Sequence, residues 1–333
     1  MQRPRILLIT TGGTISMLPS PDGFLAPSED GVRLLEKIPE AAEIADLESL
    51  SLGEQDSANV QPPFWVDVAQ TVYERYRDYD GFVVTHGTDT MVYLASALSF
   101  FLQELGKPIV ITGAQVPLTH PGSDGRSNLV NAIRAAASDL AEVAICFGTL
   151  VMRGTRTRKT SAFDLQAITT ANEAPIGNIG LDLRLADHAR RRAPRHPLFQ
   201  PHIEERVSRI PVWPGMDPDI IRYLAEHRAG LVIEGYGVGT VPSRQKSLIP
   251  AIREATDQGV AVVVGTQCRM GATAPELYEV GQGAIEAGAI PALDMTPECT
   301  QVKLMWALGD VRDLRTIEAI MTRNHVGELQ GAR

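Results

Sequence analysis

Short apolar runs alternate along the chain with longer stretches whose apolar residues recur at helical spacing. Ile6-Leu7-Leu8-Ile9, inside a run over 5–9 that Gly12-Gly13 halts, reads as a buried strand. Over 62–79, Trp65, Val68, Val72 and Tyr76 fall on one helical face, with charges gathered in the last turns. A strand is expected at 81–85, then a helix from about 91 to 105 that is apolar almost all round and therefore buried. A strand at 109–112, a helix near 128–140 and a strand at 143–147 follow. Such alternation predicts a largely parallel sheet covered on both faces. After a stretch rich in Arg and Pro at 189–202, apolar runs at 229–233 and 260–264 and helical patterns at 249–256 and 314–321 repeat the theme.

The pattern thus predicts two α/β domains, a larger N-terminal one with a mostly parallel sheet and a smaller C-terminal one. Their expected extents are 1–188 and 209–333, joined by a linker at 189–208. The chain shows no internal repeat and no low-complexity tract.

Composition narrows the function class. In 333 residues, 44% are hydrophobic and 21% charged, which excludes disorder, collagen and coiled coil. A formal charge of −9 offers no general attraction to nucleic acid or an anionic membrane, so a small molecule is the expected partner. Even the Arg cluster at 190–195 sits in an acidic chain. Cys146, Cys268 and Cys299 are odd in number and lack CxxC spacing, so no disulfide framework or metal site is expected and the compartment should be reducing. The N-terminal apolar run is too short for an export signal, and no run approaches the ~20 residues that span a bilayer. A cytoplasmic location is expected.

In an open parallel sheet, ligands bind beyond the carboxyl ends of the strands, in the loops that follow them. Those loops are Thr10-Thr11-Gly12-Gly13-Thr14, His86-Gly87-Thr88-Asp89 and Gly113-Ala114-Gln115. Taken singly, each has a plain structural reading. Thr-Gly-Gly-Thr suits a tight turn, Asp89 suits a helix N-cap, and His86 suits a structural role at a strand end. Neither GxGxxG nor GxxxxGK[ST] is present, so phosphate binding is disfavoured. A threonine hydroxyl becomes a nucleophile only if a neighbour takes its proton, and Lys159, in a basic segment at 153–160, is one candidate base. That segment reads equally as a solvated basic loop.

Together these residues resemble the bacterial-type L-asparaginase family, most closely its cytoplasmic type I branch. Thr11-Gly12-Gly13-Thr14-Ile15 and His86-Gly87-Thr88-Asp89-Thr90 match the family's two signature loops in order and spacing. Gly113-Ala114-Gln115, Ser123-Asp124-Gly125 with Asn128 and Asn131, the Lys159 segment and Tyr236-Gly237-Val238-Gly239 extend the resemblance over nearly the whole chain. It implies that Thr14 is the nucleophile, that Thr88, Asp89 and Lys159 form a proton relay, and that Asp89 also faces the substrate's α-ammonium group. Ser57 would hold the α-carboxylate, with Ala58 and Gln115 also lining the substrate site. The implied activity is hydrolysis of L-asparagine to L-aspartate and ammonia through a threonine acyl-enzyme, with minor glutaminase activity, no metal or organic cofactor, and assembly as a homodimer or homotetramer. A related amidase is the alternative, including one that releases ammonia for tRNA-dependent amidation, although no N-terminal extension is expected here. A catalytically silent amino-acid-binding protein is a further alternative.

Several positions depart from the family pattern. Phe24 stands where the mobile lid usually offers a tyrosine, and Ala58-Asn59 replace larger or acidic residues. Glu234 stands where some type I members carry a basic residue tied to effector binding. Glu276 and Glu279 are candidates for an acidic group lent to a neighbouring subunit's site.

Overall fold

The computed structural model describes residues 3–19, 25–26, 31–274 and 279–330. The chain divides between Pro201 and His202 into two compact units, a division that falls within 189–208.

In the first unit β1 (Arg5–Gly12) leads to β2 (Asp46–Gln55), α1 (Pro62–Arg75), β3 (Gly81–Thr85), α2 (Met91–Phe101), β4 (Ile109–Thr112), α3 (Gly125–Ala136) and β5 (Val143–Phe147). Then come β6 (Leu150–Arg153), the hairpin β7 (Thr157–Lys159) and β8 (Ile168–Thr170), β9 (Gly177–Ile179) and β10 (Leu183–Leu185). Eight strands make one sheet in the order β10-β9-β6-β5-β4-β3-β1-β2. From β2 to β5 every pairing is parallel, as the strand–helix alternation predicts. At Phe147 the chain instead turns back within two residues through Gly148 (φ +59°), so β6 pairs antiparallel with β5. A two-residue link leaves no room for the helical crossover that a parallel pairing needs.

Alternate residues of the strands enter opposite layers. Ile6, Leu8, Val83 and Val110 pack with Leu129 and Ile133 of α3 in one core, while Leu7, Ile9, Phe82 and Val84 are buried on the other face. All of α2 except Tyr93 is buried, as its uniformly apolar sequence requires. The helix nevertheless ends at Phe101, because Leu102–Gln103 leaves it to pair with Leu198–Phe199.

The second unit carries a four-stranded parallel sheet of β11 (Val207–Pro211), β12 (Gly230–Gly235), β13 (Ala261–Thr266) and β14 (Ile290–Pro291). Its helices are α4 (Asp219–His227), α5 (Ile249–Asp257), α6 (Glu279–Glu286), α7 (Pro297–Asp310) and α8 (Leu314–Thr322). Ile221, Leu231, Ile233, Ile252, Val262 and Val264 build its core.

Candidate active site

The parallel strands β1, β2, β3 and β4 all point their carboxyl ends to one edge of the first unit, and the loops that leave them meet there. At the end of β1, Gly12 (φ +94°) and the following Gly13 (φ +87°) take backbone conformations that favour glycine and turn the chain into a single helical turn, Thr14–Ser16. Neither could carry a side chain, since a Cβ on Gly12 would strike the backbone of Gln55 and one on Gly13 the backbone of Gly87. The Thr14 turn is therefore pressed directly against the loop after β3. Gly87 in turn lies under Ser57, whose Oγ would be 2.5 Å from a Cβ at that position. Ser57 opens the one-turn helix Ser57–Asn59, where Asp56 caps the turn by accepting from the Ala58 N–H at 2.9 Å. Ser57 is buried, and Ala58 beside it is exposed.

Lys159 ends β7 and reaches the same loop. Its Nζ donates to Thr88 Oγ1 at 2.8 Å and to Asp89 Oδ1 at 2.6 Å. Thr88 Oγ1 donates to Gln115 Oε1 at 3.0 Å, and Gln115 Nε2 reaches the carbonyl of Ala162 at 3.2 Å. Of the two ion-pair partners, Asp89 is 61% exposed and Lys159 only 22%, so the carboxylate faces outward from a mostly covered amine. Thr90, not Asp89, is the N-cap of α2. The N-cap reading of Asp89 therefore fails, because its side chain is turned to Lys159. Among the described residues the Thr14 hydroxyl makes no hydrogen bond, whereas that of Thr88 is engaged on both sides.

The surrounding groups hold these loops in place. His86 is buried, with Nδ1 2.7 Å from Thr11 Oγ1 and Nε2 3.1 Å from Thr90 Oγ1. Burial lowers its pKa to about 4, so near neutral pH it is an uncharged strut, in line with its structural reading. Thr90 Oγ1 continues the chain by donating to the Ser57 carbonyl at 2.9 Å. Asp124 accepts from the N–H groups of Gln115 and Val116, and Asn128 Nδ2 bridges the Gly113 carbonyl and Asp124 Oδ2, both at 2.9 Å. Glu54, near the end of β2, accepts from Ser16 Oγ at 2.8 Å. No sequence pattern marked Glu54, since its role depends on the irregular end of β2.

Thr14, Ser57, Thr88, Asp89, Gln115 and Lys159, widely separated in sequence, are thus gathered at one sheet edge. Phe24 and Glu276 lie outside the described residues, and Glu279 opens α6. Glu234, on β12, forms an ion pair with Arg209 at 3.3 Å. Among the described residues no group of His, Cys, Asp and Glu is placed to hold a metal ion, and no helix is long and apolar enough to cross a membrane.

The family model "Asparaginase, N-terminal" matches residues 5–191, and "Glutaminase/Asparaginase C-terminal domain" matches 206–321. The chain belongs to the asparaginase family. L-asparaginase of Thermococcus kodakarensis is 39% identical over 98% of this chain and 100% of that protein. L-asparaginase 1 of Escherichia coli K12 is 36% identical over 99% of each. A glutamyl-tRNA(Gln) amidotransferase subunit of Pyrococcus furiosus is 38% identical over 98% of this chain and 77% of that protein. Among solved structures, the thermostable T. kodakarensis L-asparaginase superposes with a TM-score of 0.91 at 38% identity, covering 98% of this chain and 100% of that one. L-asparaginase I from Vibrio cholerae gives 0.89 at 32% identity, covering 98% and 99%. The two α/β units expected from the apolar pattern are the fold of this chain, and these asparaginases share it.

Proposed function

We propose that this protein hydrolyses the side-chain amide of L-asparagine to L-aspartate and ammonia through an acyl-enzyme on Thr14. The observation that carries this reading is the contact of Lys159 with both Thr88 and Asp89, beside the glycine-packed turn that presents Thr14. An amine held against a hydroxyl and a carboxylate is arranged to pass protons to and from a reacting group. Thr14 Oγ attacks the amide carbon while its proton travels by way of Thr88 and Lys159 to the leaving nitrogen. The C–N bond breaks, ammonia departs, and water then cleaves the resulting ester and restores the Thr14 hydroxyl. Backbone N–H groups of the two glycine-bearing loops are the natural donors to the oxyanion.

Ser57 holds the substrate α-carboxylate and Asp89 its α-ammonium group, with Ala58 and Gln115 completing the pocket. Phe24 belongs to the lid in this reading and supplies an aromatic face without the tyrosine hydroxyl. One methylene in a pocket is usually worth only ~1–3 kcal/mol in discrimination, and the short Ala58 loosens this pocket, so glutamine should be hydrolysed measurably but more weakly than asparagine. No organic or metal cofactor takes part in these steps. The catalytic domain is assigned to 1–188, the linker to 189–208 and the second domain to 209–333. The protein is read as a cytoplasmic homodimer or homotetramer; its odd, scattered cysteines support the reducing compartment, and the assembly rests on the family resemblance.

The similarity to a tRNA-dependent amidotransferase subunit keeps a second amidase reading in view, in which the released ammonia serves tRNA-dependent amidation. Ammonia release measured with asparagine, glutamine and simple amides separates the readings. Asparagine should show the highest kcat/KM, and Thr14→Ala should reduce turnover by several orders of magnitude while binding persists. Equal or inverted kcat/KM for the two amino-acid amides would overturn the asparagine preference. More than about a tenth of parental kcat in Thr14→Ala would overturn the nucleophile.

A further inference from the structure

The turn that carries Thr14 has one side-chain anchor that the proposed chemistry does not use. Strand β2 runs in register with β1 as far as Thr10 opposite Ser51, but the next pairing sets Gly12 opposite Gln55. β2 therefore advances four residues while β1 advances two, and the surplus forms a bulge around Gly53 (φ +120°). The bulge turns Glu54 toward the end of β1. Its Oε2 accepts from Ser16 Oγ at 2.8 Å and its Oε1 from Thr10 Oγ1 at 3.4 Å, while the neighbouring Gln55 carbonyl accepts from Gly13 N–H at 3.0 Å. Thr10 precedes the glycine pair and Ser16 closes the helical turn, so one half-buried carboxylate bonds to both sides of Thr14.

We propose that Glu54 is a positioning residue for the nucleophile: by tying Ser16 and Thr10 to one carboxylate, it fixes the direction in which the Thr14 hydroxyl meets the substrate. The inference rests on the reading of Thr14 as nucleophile. Ser16 has one hydroxyl proton and two acceptors, Glu54 at 2.8 Å and its own turn's Gly13 carbonyl at 3.1 Å. The shorter, charge-assisted bond to the carboxylate draws Ser16 toward β2. Without it Ser16 retains only the bond within its own turn, and the turn is no longer tied to the strand through this side chain. Glutamine at position 54 has the same reach. It can accept from Thr10 and donate to Ser16 while Ser16 donates to Gly13, so the positions survive with the hydrogen-bond directions changed.

Steady-state kinetics of Glu54→Ala, Glu54→Gln, Ser16→Ala and the double variant Glu54→Ala/Ser16→Ala, with Thr14→Ala as reference, test this. Misplacing a reacting group costs up to on the order of 100-fold, so Glu54→Ala should lower kcat by about 10- to 100-fold with KM within about twofold. Glu54→Gln should restore kcat to within about threefold of the parent, and Ser16→Ala should lower kcat in the same direction. The double variant should be no slower than Glu54→Ala, since both changes cut one tie. Should Glu54→Ala not fold, Ser16→Ala and Glu54→Gln decide the matter: a loss of kcat in the former and its retention in the latter support the proposal. Parental kcat in Glu54→Ala or Ser16→Ala, or losses that simply multiply in the double variant, overturn the positioning role while an inactive Thr14→Ala leaves the nucleophile intact. If Thr14→Ala itself keeps turnover, the nucleophile reading falls and takes the positioning role with it.

Discussion

Thr88 lies in the loop after β3 and Lys159 at the end of β7, yet their atoms lie 2.8 Å apart, and that distance carries most of the chemical argument. If they pass protons as one unit, removing either should disable most of what removing both disables. Thr88→Val, Lys159→Met and the double variant should therefore show similar losses in kcat, and losses that multiply would refute the relay. His86 makes a separate prediction. Its pKa in the fold, about 4, lies below the ordinary 6.5, so the unfolded chain takes up a proton that the folded one refuses. The associated stability is present above pH 6.5 and is lost as the pH falls toward 4. Between pH 7 and pH 5 this amounts to about 2 kcal/mol. Denaturant titrations should show a smaller acid loss for His86→Gln than for the parent over that interval.

At the scale of elements, the site is held by close backbone approach more than by side-chain reach. The turn after β1, the loop after β3 and the helical turn at Ser57 touch through Gly13 and Gly87, so a methyl group is enough to part them. Gly87→Ala would place its Cβ 2.5 Å from Ser57 Oγ and displace the hydroxyl assigned to the α-carboxylate. An increase in KM for asparagine of about tenfold or more is expected, with the parental far-ultraviolet spectrum retained. Unchanged KM would remove Ser57 from substrate binding.

For the molecule as a whole, the second unit closes on a buried ion pair. Lys303 on α7 and Glu328 after α8 are each 0% exposed and 2.6 Å apart. Lys303 Nζ also donates to the carbonyls of Met321 and Arg323, at 2.9 and 2.6 Å, and Glu328 accepts from the N–H groups of His325 and Val326. Burial opposes ionisation of Glu328, but the Lys303 charge and these hydrogen bonds outweigh it and lower its pKa. Its contribution to stability is therefore present above the ordinary carboxylate range and is lost as the pH falls through the lowered value. Lys303→Met leaves a buried charge without its counter-ion and should cost about 3–5 kcal/mol in chemical denaturation. Adding Glu328→Leu should recover much of that loss.

The order of strands and helices was legible in the sequence because each buried strand must be apolar along its length and each helix must hide one face. Ile6-Leu7-Leu8-Ile9 and the uniformly apolar stretch that became α2 declare themselves without any partner. The signature loops likewise pointed to Thr14, Thr88 and Asp89 as candidates, and the further matching segment to Lys159, since a family's chemistry is carried by residue types at set positions. Strand β2 was not visible, because as an edge strand it mixes exposed and half-buried residues and shows no regular alternation. The antiparallel turn to β6 depended on the conformation of Gly148, and the end of α2 on a pairing with Leu198–Phe199. The tertiary structure alone decided which residues meet. It turned Asp89 from a possible cap into the partner of Lys159, and it brought Glu54 to Ser16 through a bulge that no periodicity records. Sequence sets what each segment must bury and which groups it can offer, whereas hydrogen bonds between distant segments depend on sheet order and loop geometry, which exist only once the chain has folded.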